Sequence, residues 1–248
     1  MTFWTFILGL LLLAVPFAIS YIYDVKIERQ LLTGLARLIG VMVLTGLALH
    51  YVFKWNSVWA NLLFFVLMVV AASAATIASG RLSRKTYFVP VLAGMSASAV
   101  VVGGWLLLVA GLSGERVLDA RWLIPITGLL VGSLIEVDSR ALAGFYKGFR
   151  HHSALYYYLL GNGATHREAM SYLVRRALQQ SALPVVRHMS AMVAAQAPIV
   201  VWAMLMAGVE VWTAVAWQVL LLVAVLAAAM LSVAVALFLG VERGEWKR

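Results

Sequence analysis

Residues 211–240 carry no charged side chain. A helix needs about 20 mostly apolar residues to cross the hydrocarbon core of a bilayer, and this run exceeds that length. It is long for one span, so it either tilts or extends beyond the bilayer. Six further stretches of the same kind precede it, at roughly 4–23, 34–53, 58–79, 88–112, 122–143 and 185–207. The first has no basic N-terminal region and is long enough to span, which sets it apart from a signal peptide. Seven spans use most of the chain. The expectation is an all-α polytopic membrane protein with a single transmembrane domain over residues 1–248.

Composition agrees. Of 248 residues 64% are hydrophobic and 12% charged, with a mean hydropathy of +0.95. Ordinary soluble domains are about half apolar and about a quarter charged. A soluble enzyme, a nucleic-acid-binding module and a disordered chain are therefore excluded. The formal charge of +9 would otherwise raise nucleic acid as a partner. Here the excess is absorbed by membrane boundaries, where basic residues collect on the cytoplasmic side. With the N-terminus outside and the C-terminus inside, fifteen Lys and Arg fall on inner segments and three, Lys54, Arg116 and Arg121, on outer ones. Arg37 lies within the inner part of the second span. With no cysteine, disulfides, thiolate metal sites and Cys nucleophiles are excluded.

Residues 144–183 form the only long polar segment, placed on the cytoplasmic side. Connections of this length usually carry function. Gly161-Asn162-Gly163 breaks it into two helical pieces. Thr165 followed by Glu168 is a capping box, so a helix starts there and runs to about Leu183. Met170, Leu173, Val174, Ala177 and Ser181 share one face, and Arg167, Ser171, Arg175 and Gln179 lie mainly on another. That pattern suits a helix along the inner membrane surface, leading into the span that Pro184 opens.

Several short motifs, in order along the chain, resemble the FetB-type permeases. These are membrane subunits of ABC transporters linked to iron export and, in some relatives, to aluminium tolerance. The likeness runs from about Arg37 to Gln218. Arg37 and Gly46 match an Arg and a Gly of the family's second span. LIPITGLLVG at 123–132 is similar to its Ile-Pro-Ile-x-Gly-x-x-x-Gly pattern through Pro125, Gly128 and Gly132. NGATHREA at 162–169 is similar to its Leu-Gly-Ala-Thr-Pro-x-x-Ala turn through Gly163, Ala164, Thr165 and Ala169. Pro184, Pro198, Ala207, Gly208 and Gln218 also match, and Glu210 stands where an Asp is usual. The chain departs from the family in the sixth span, where APIVVWA at 197–203 keeps Pro198 and loses two glycines and a hydroxyl. Ser133 replaces an Asn, and Val41 a Gln. The departures fall on intramembrane polar and small positions, while the turn is better kept.

The resemblance implies a coupling turn at Gly161, Asn162, Gly163, Ala164, Thr165, His166, Arg167, Glu168 and Ala169 that presses on a separate ABC ATPase subunit. It also implies a permease homodimer in a bacterial inner membrane, contacting lipid and no nucleic acid. The chain has no G-x-x-x-x-G-K-[ST], so ATP and Mg belong to the partner, and this chain binds no cofactor and is not itself an enzyme. ATP-driven export of a metal ion such as iron is the substrate expectation. Self-contained secondary transport, a channel and a scaffold without transport stay open as alternatives.

Within the spans, Arg37, Ser133, Glu136, Asp138 and Pro198 are candidates for a transport path. Intramembrane acids are costly when unpaired, which makes Glu136 and Asp138 functional candidates. The other reading pairs Glu136 with Arg140 at i,i+4 where the helix leaves the bilayer. Arg37 either snorkels to headgroups or pairs with a carboxylate such as Glu136. His188 and Met192, four apart, could share a helix face as soft metal ligands, or serve simply in packing. His151 and His152 read as solvated. Gly111-Leu112-Ser113-Gly114 is similar to an intramembrane protease turn, but His50 is the lone outer histidine and has no evident orienting partner. Gly128–Gly132 and Gly144–Gly148 have spacings that permit close helix contact.

Overall fold

The computed structural model describes residues 11–23, 28–112, 114, 116–151, 153–193 and 197–242. The protein is an all-α polytopic membrane protein, with no β-strand among the described residues. The chain divides into two compact units, Met1–Trp55 and Asn56–Arg248. In the first, a short 3-10 turn, Leu11–Leu13, leads into α1, Ala14–Ile22, and α2 spans Glu28–Trp55. In the second, α3 is Val58–Gly80 and α4 is Arg84–Ser98. One π-helical turn, Ala99–Gly103, joins α4 to α5, Gly104–Leu112. Then follow α6, Ala120–His151, α7, Ser153–Gly161, α8, His166–Ala191, α9, Ile199–Met206, and α10, Val211–Glu242.

Five helical stretches among the described residues are long and apolar enough to cross a membrane: Arg29–Trp55, Val58–Gly80, Arg84–Leu112, Ala120–His151 and Val211–Val241. They contain five of the seven spans expected from hydropathy. Of the expected span 4–23, the described part is the apolar stretch Leu11–Ile22, and residues 4–10 lie outside the described residues. The expected span 185–207 is corrected. It is not one helix, because α8 ends at Ala191, Met192 turns extended at φ −57 and ψ 136, and Val193 has φ 72. Pro198 then begins the short α9. Pro198 has no N–H to continue a helix arriving from Ala191, and the residue before a proline is biased to extended backbone.

The second unit is built around α6. Its buried residues Leu123, Thr127, Leu130, Leu134, Asp138, Ala141, Phe145 and Phe149 recur three or four apart, so one face is covered along the whole helix. α3, α8 and α10 all pack on α6, and α10 also packs along α4. The α4–α10 seam is narrow because it is built from small residues. A Cβ on Gly94 would collide with the Ser232 carbonyl and lie 3.1 Å from Ala236 Cβ. At the opposite end of α3, buried Asn61 donates from Nδ2 to the Leu118 carbonyl at 2.9 Å and to Asn56 Oδ1 at 3.2 Å. Asn56 Oδ1 in turn accepts from Ala120 N–H at 3.1 Å, so one amide pair ties the start of α3 to the start of α6.

The polar segment 144–183 is not an open loop. Residues 144–151 continue α6, and residues 153–183 are α7, a four-residue turn and α8. Nor does the apolar face of α8 lie on the membrane surface. Ala169, Met170, Leu173, Ala177 and Ser181 are buried, with α6 and α10 packed against the helix. The Gly144–Gly148 spacing serves that packing inside the chain. A Cβ on Gly148 would lie 3.1 Å from Leu173 Cδ2, and one on Gly144 would run into the Gln180 amide. The helix also runs through Pro184 without a break, so Pro184 does not start a new one.

Candidate functional site

The turn between α7 and α8 is closed from both sides by its own sequence. Gly163 takes φ 87, a left-handed backbone that glycine adopts without a Cβ clash. Gly163 N–H donates to the Leu160 carbonyl at 3.1 Å and Ala164 N–H to the Leu159 carbonyl at 3.0 Å, which is a Schellman ending for α7. Asn162 adds a side-chain bond from Nδ2 to the Tyr158 carbonyl at 2.9 Å. Thr165 then opens α8. Its Oγ1 accepts from Glu168 N–H at 3.3 Å, while Thr165 N–H donates to Glu168 Oε2 at 2.8 Å. The capping box read from the sequence is therefore formed on both sides. The Thr165 N–H, and then its hydroxyl, hold the Glu168 carboxyl below the usual carboxylate range.

The same turn is tethered to helices that cross the core of the unit. His166 Nδ1 lies 2.9 Å from Tyr156 Oη, and His166 Nε2 lies 3.4 Å from the Val241 carbonyl at the end of α10. Tyr156 is buried and meets Phe149 of α6 edge-on at 5.4 Å between ring centres. Arg167 lies over the Phe238 ring of α10 at 5.6 Å. A push on the tip would thus act on α6, α8 and α10 together. Gly161, Asn162, Gly163, Thr165, Arg167 and Glu168 are exposed, Ala164 and His166 half-buried, and Ala169 buried. From Arg140 to His151 the continuous α6 rises about 16 Å at 1.5 Å per residue.

The candidates for a transport path are dispersed. Glu136 is exposed and ion-paired with Arg140 on the next turn of α6. Arg37 lies in α2, in the other unit. Ser133 spends its hydroxyl on the Leu130 carbonyl at 2.6 Å. Asp138 is buried at 1% exposure, and its Oδ2 accepts the Ser232 hydroxyl of α10 at 2.5 Å, while Oδ1 has no partner. Pro198 lines an apolar cavity of about 530 Å3 with Met189, Met192, Trp202 and the buried Gln218, whose Oε1 has no partner.

Met192 has left the helix that carries His188, so the two do not share a helix face. No cluster of three or more His, Asp or Glu occurs among the described residues. His151 Nδ1 lies 3.2 Å from the Lys147 carbonyl, and His50 makes a T-shaped contact with Tyr51. Ser113 and His152 lie outside the described residues.

Sequence reasoning found the turn and its cap but missed its tethers. The run Tyr156-Tyr157-Tyr158 does not reveal which ring turns inward, and Ser232 sits in an apolar run without any motif around it.

The sequence model of an uncharacterised protein family (UPF0014) matches residues 3–244. Comparison with curated proteins and with solved structures gives no match.

Proposed function

The chain belongs to the uncharacterised protein family UPF0014, and from that premise we propose that it is the transmembrane permease subunit of an ABC transporter of the FetB type. The family is associated with ABC-transporter permeases, and together with the apolar helices this supports a membrane protein related to transport. The carrying observation is the α7–α8 turn: exposed, rigidly capped, and tied through Tyr156 and His166 to α6 and α10. Such a knob can transmit rigid-body motion from an ATPase groove into a bundle.

In this reading two copies pair with two ATPase subunits in a bacterial inner membrane, with the N-terminus outside and the turn and C-terminus in the cytoplasm. ATP and Mg sit on the partner. Its closure pushes on residues 161–169 and shifts α6 and α8 against α10. The cargo is a metal ion such as iron, exported. A second reading, self-contained secondary transport, draws on the break between α8 and α9 and on the buried Asp138. Interrupted helices and intramembrane acids are hallmarks of such transporters.

The test is a pull-down of the tagged full chain, expressed with its genomic neighbours and purified in mild detergent. The expected result is a co-purifying subunit that hydrolyses ATP and is lost when Gly163 and Ala164 are both replaced by Glu. A chain that stays folded and alone in several detergents sinks the permease assignment. The secondary-transport reading then takes over, and it requires ATP-independent flux that Asp138→Asn abolishes.

A further inference from the structure

Four cationic residues line one cavity. Arg81 at the end of α3, Arg140 and Lys147 on α6, and Arg187 on α8 line an open depression of about 640 Å3. Gly80, Ala143 and Gly144 leave the room for it, and Ser139 and Gln180 supply polar groups. Among the described residues, no carboxylate lines it. Arg140 is ion-paired with Glu136, while Arg81, Lys147 and Arg187 have no carboxylate partner among the described residues. A preference of basic residues for one side of a membrane scatters them over a boundary. It does not require elements from three helices to place four of them around one depression.

The backbone at Arg81 carries the argument further. α3 ends in a Schellman turn, with Arg81 N–H donating to the Ala78 carbonyl at 3.2 Å and Leu82 N–H to the Ile77 carbonyl at 3.0 Å. The residue at the left-handed position is Arg81, at φ 52 and ψ 38. Among the described residues, two further turns of this kind, after α7 and after α9, have Gly163 and Gly208 at the same position, at φ 87 and φ 83. Glycine suits this backbone and an arginine is strained in it. Here the residue at that position is one that lines the cavity. Strained backbone of this kind clusters at functional sites.

We propose that this cavity binds a phosphate-bearing anion, gripped by Arg81, Lys147, Arg187 and the free edge of Arg140. Guanidinium forks and an ammonium are the groups that recognise phosphate oxygens. The cavity opens where α3 ends and α8 meets α6, at the boundary of the apolar span of α3. A phosphate there comes either from the headgroup of an anionic lipid or from solution. The site does not depend on the ATPase reading.

The test uses the full chain in lipid discs of pure phosphatidylcholine and in discs containing phosphatidylglycerol, and separately in detergent with inorganic phosphate. Arg81→Gly is the informative variant, because it relieves the strained turn while removing a cation. Its expected result is a higher melting temperature with about fivefold weaker anion binding. Arg187→Gln weakens binding to a similar extent, and Arg121→Gln, at the other end of α6, leaves it unchanged. Binding of phosphatidylglycerol that inorganic phosphate does not displace assigns the site to a lipid headgroup. Binding of inorganic phosphate without lipid, lost in the same variants, assigns it to a soluble phosphate. The proposal is overturned if neither probe binds in preference to phosphatidylcholine. It is equally overturned if Arg121→Gln costs as much as Arg81→Gly and Arg187→Gln.

Discussion

Ser232 of α10 donates its hydroxyl to Asp138 Oδ2 of α6 at 2.5 Å, inside the apolar core and with Oδ1 unpartnered. This bond is a buried polar link between the two long helices. Ser232→Ala removes the donor and strands both carboxyl oxygens. The expected cost is about 1–3 kcal/mol, read as a lower melting temperature in detergent. Replacing both partners, Asp138→Val with Ser232→Ala, should come closer to wild type than Ser232→Ala alone, because no buried acceptor is left behind. A double variant that is worse than the sum of its singles would show that Asp138 holds the fold through another contact.

At Gly94 the backbones of α4 and α10 approach closely. An added Cβ meets the Ser232 backbone carbonyl and lies 3.2 Å from Ala236 N, so relief requires the helices to separate. Gly94→Ala should cost about 1–3 kcal/mol by overpacking. Gly144→Ala meets only the end of the Gln180 side chain, which can turn aside, so its cost should be smaller. Thermal unfolding of the two variants side by side checks the order.

Much of this fold was legible because its signals are local. The apolar runs at 34–53, 58–79, 88–112, 122–143 and 211–240 lie within the five long helices, since length and apolarity alone decide whether a segment can cross a bilayer. The 162–168 turn was legible because glycine at a left-handed position and a Thr/Glu cap act within a few residues. Hydropathy misread 185–207, because it cannot register that Met192 and Val193 leave the helix before Pro198. The α8 stripe was read correctly as a face, but its partner was not. A periodic apolar face looks the same whether lipid or α6 covers it. Asp138 stood out as a candidate intramembrane acid, but its burial against Ser232, 94 residues away, is announced by nothing local.

Gly161 and Gly163 stand two apart in the α7–α8 turn and should respond oppositely to alanine. At both, an added Cβ meets nothing within 4 Å, so packing plays no part. Gly161 ends α7, where alanine favours the helix by about 0.5–1 kcal/mol. Gly163 has φ 87, where alanine is strained by about 1–2 kcal/mol. Gly161→Ala should therefore raise the melting temperature and Gly163→Ala lower it. Equal shifts would mean the turn is not held in its left-handed form.

Glu168 makes the cap of α8 sensitive to acid. Its carboxyl is held below the usual range by the Thr165 N–H and hydroxyl, so the folded pKa lies below the unfolded one. A group depressed in this way adds stability above its unfolded pKa, about 4.3 for Glu, and that stability is lost as the pH falls through the folded value. Glu168→Gln cannot titrate. The melting temperature of wild type should therefore exceed that of Glu168→Gln at neutral pH, and the gap should close as the pH drops below the ordinary carboxylate range. Thr165→Ala removes the partner hydroxyl and should cost about 1 kcal/mol at neutral pH. A gap between wild type and Glu168→Gln that stays constant from neutral to acid would mean that the carboxylate charge is not what secures the turn. The reciprocal cap at Thr165 would then rest on its hydroxyl alone.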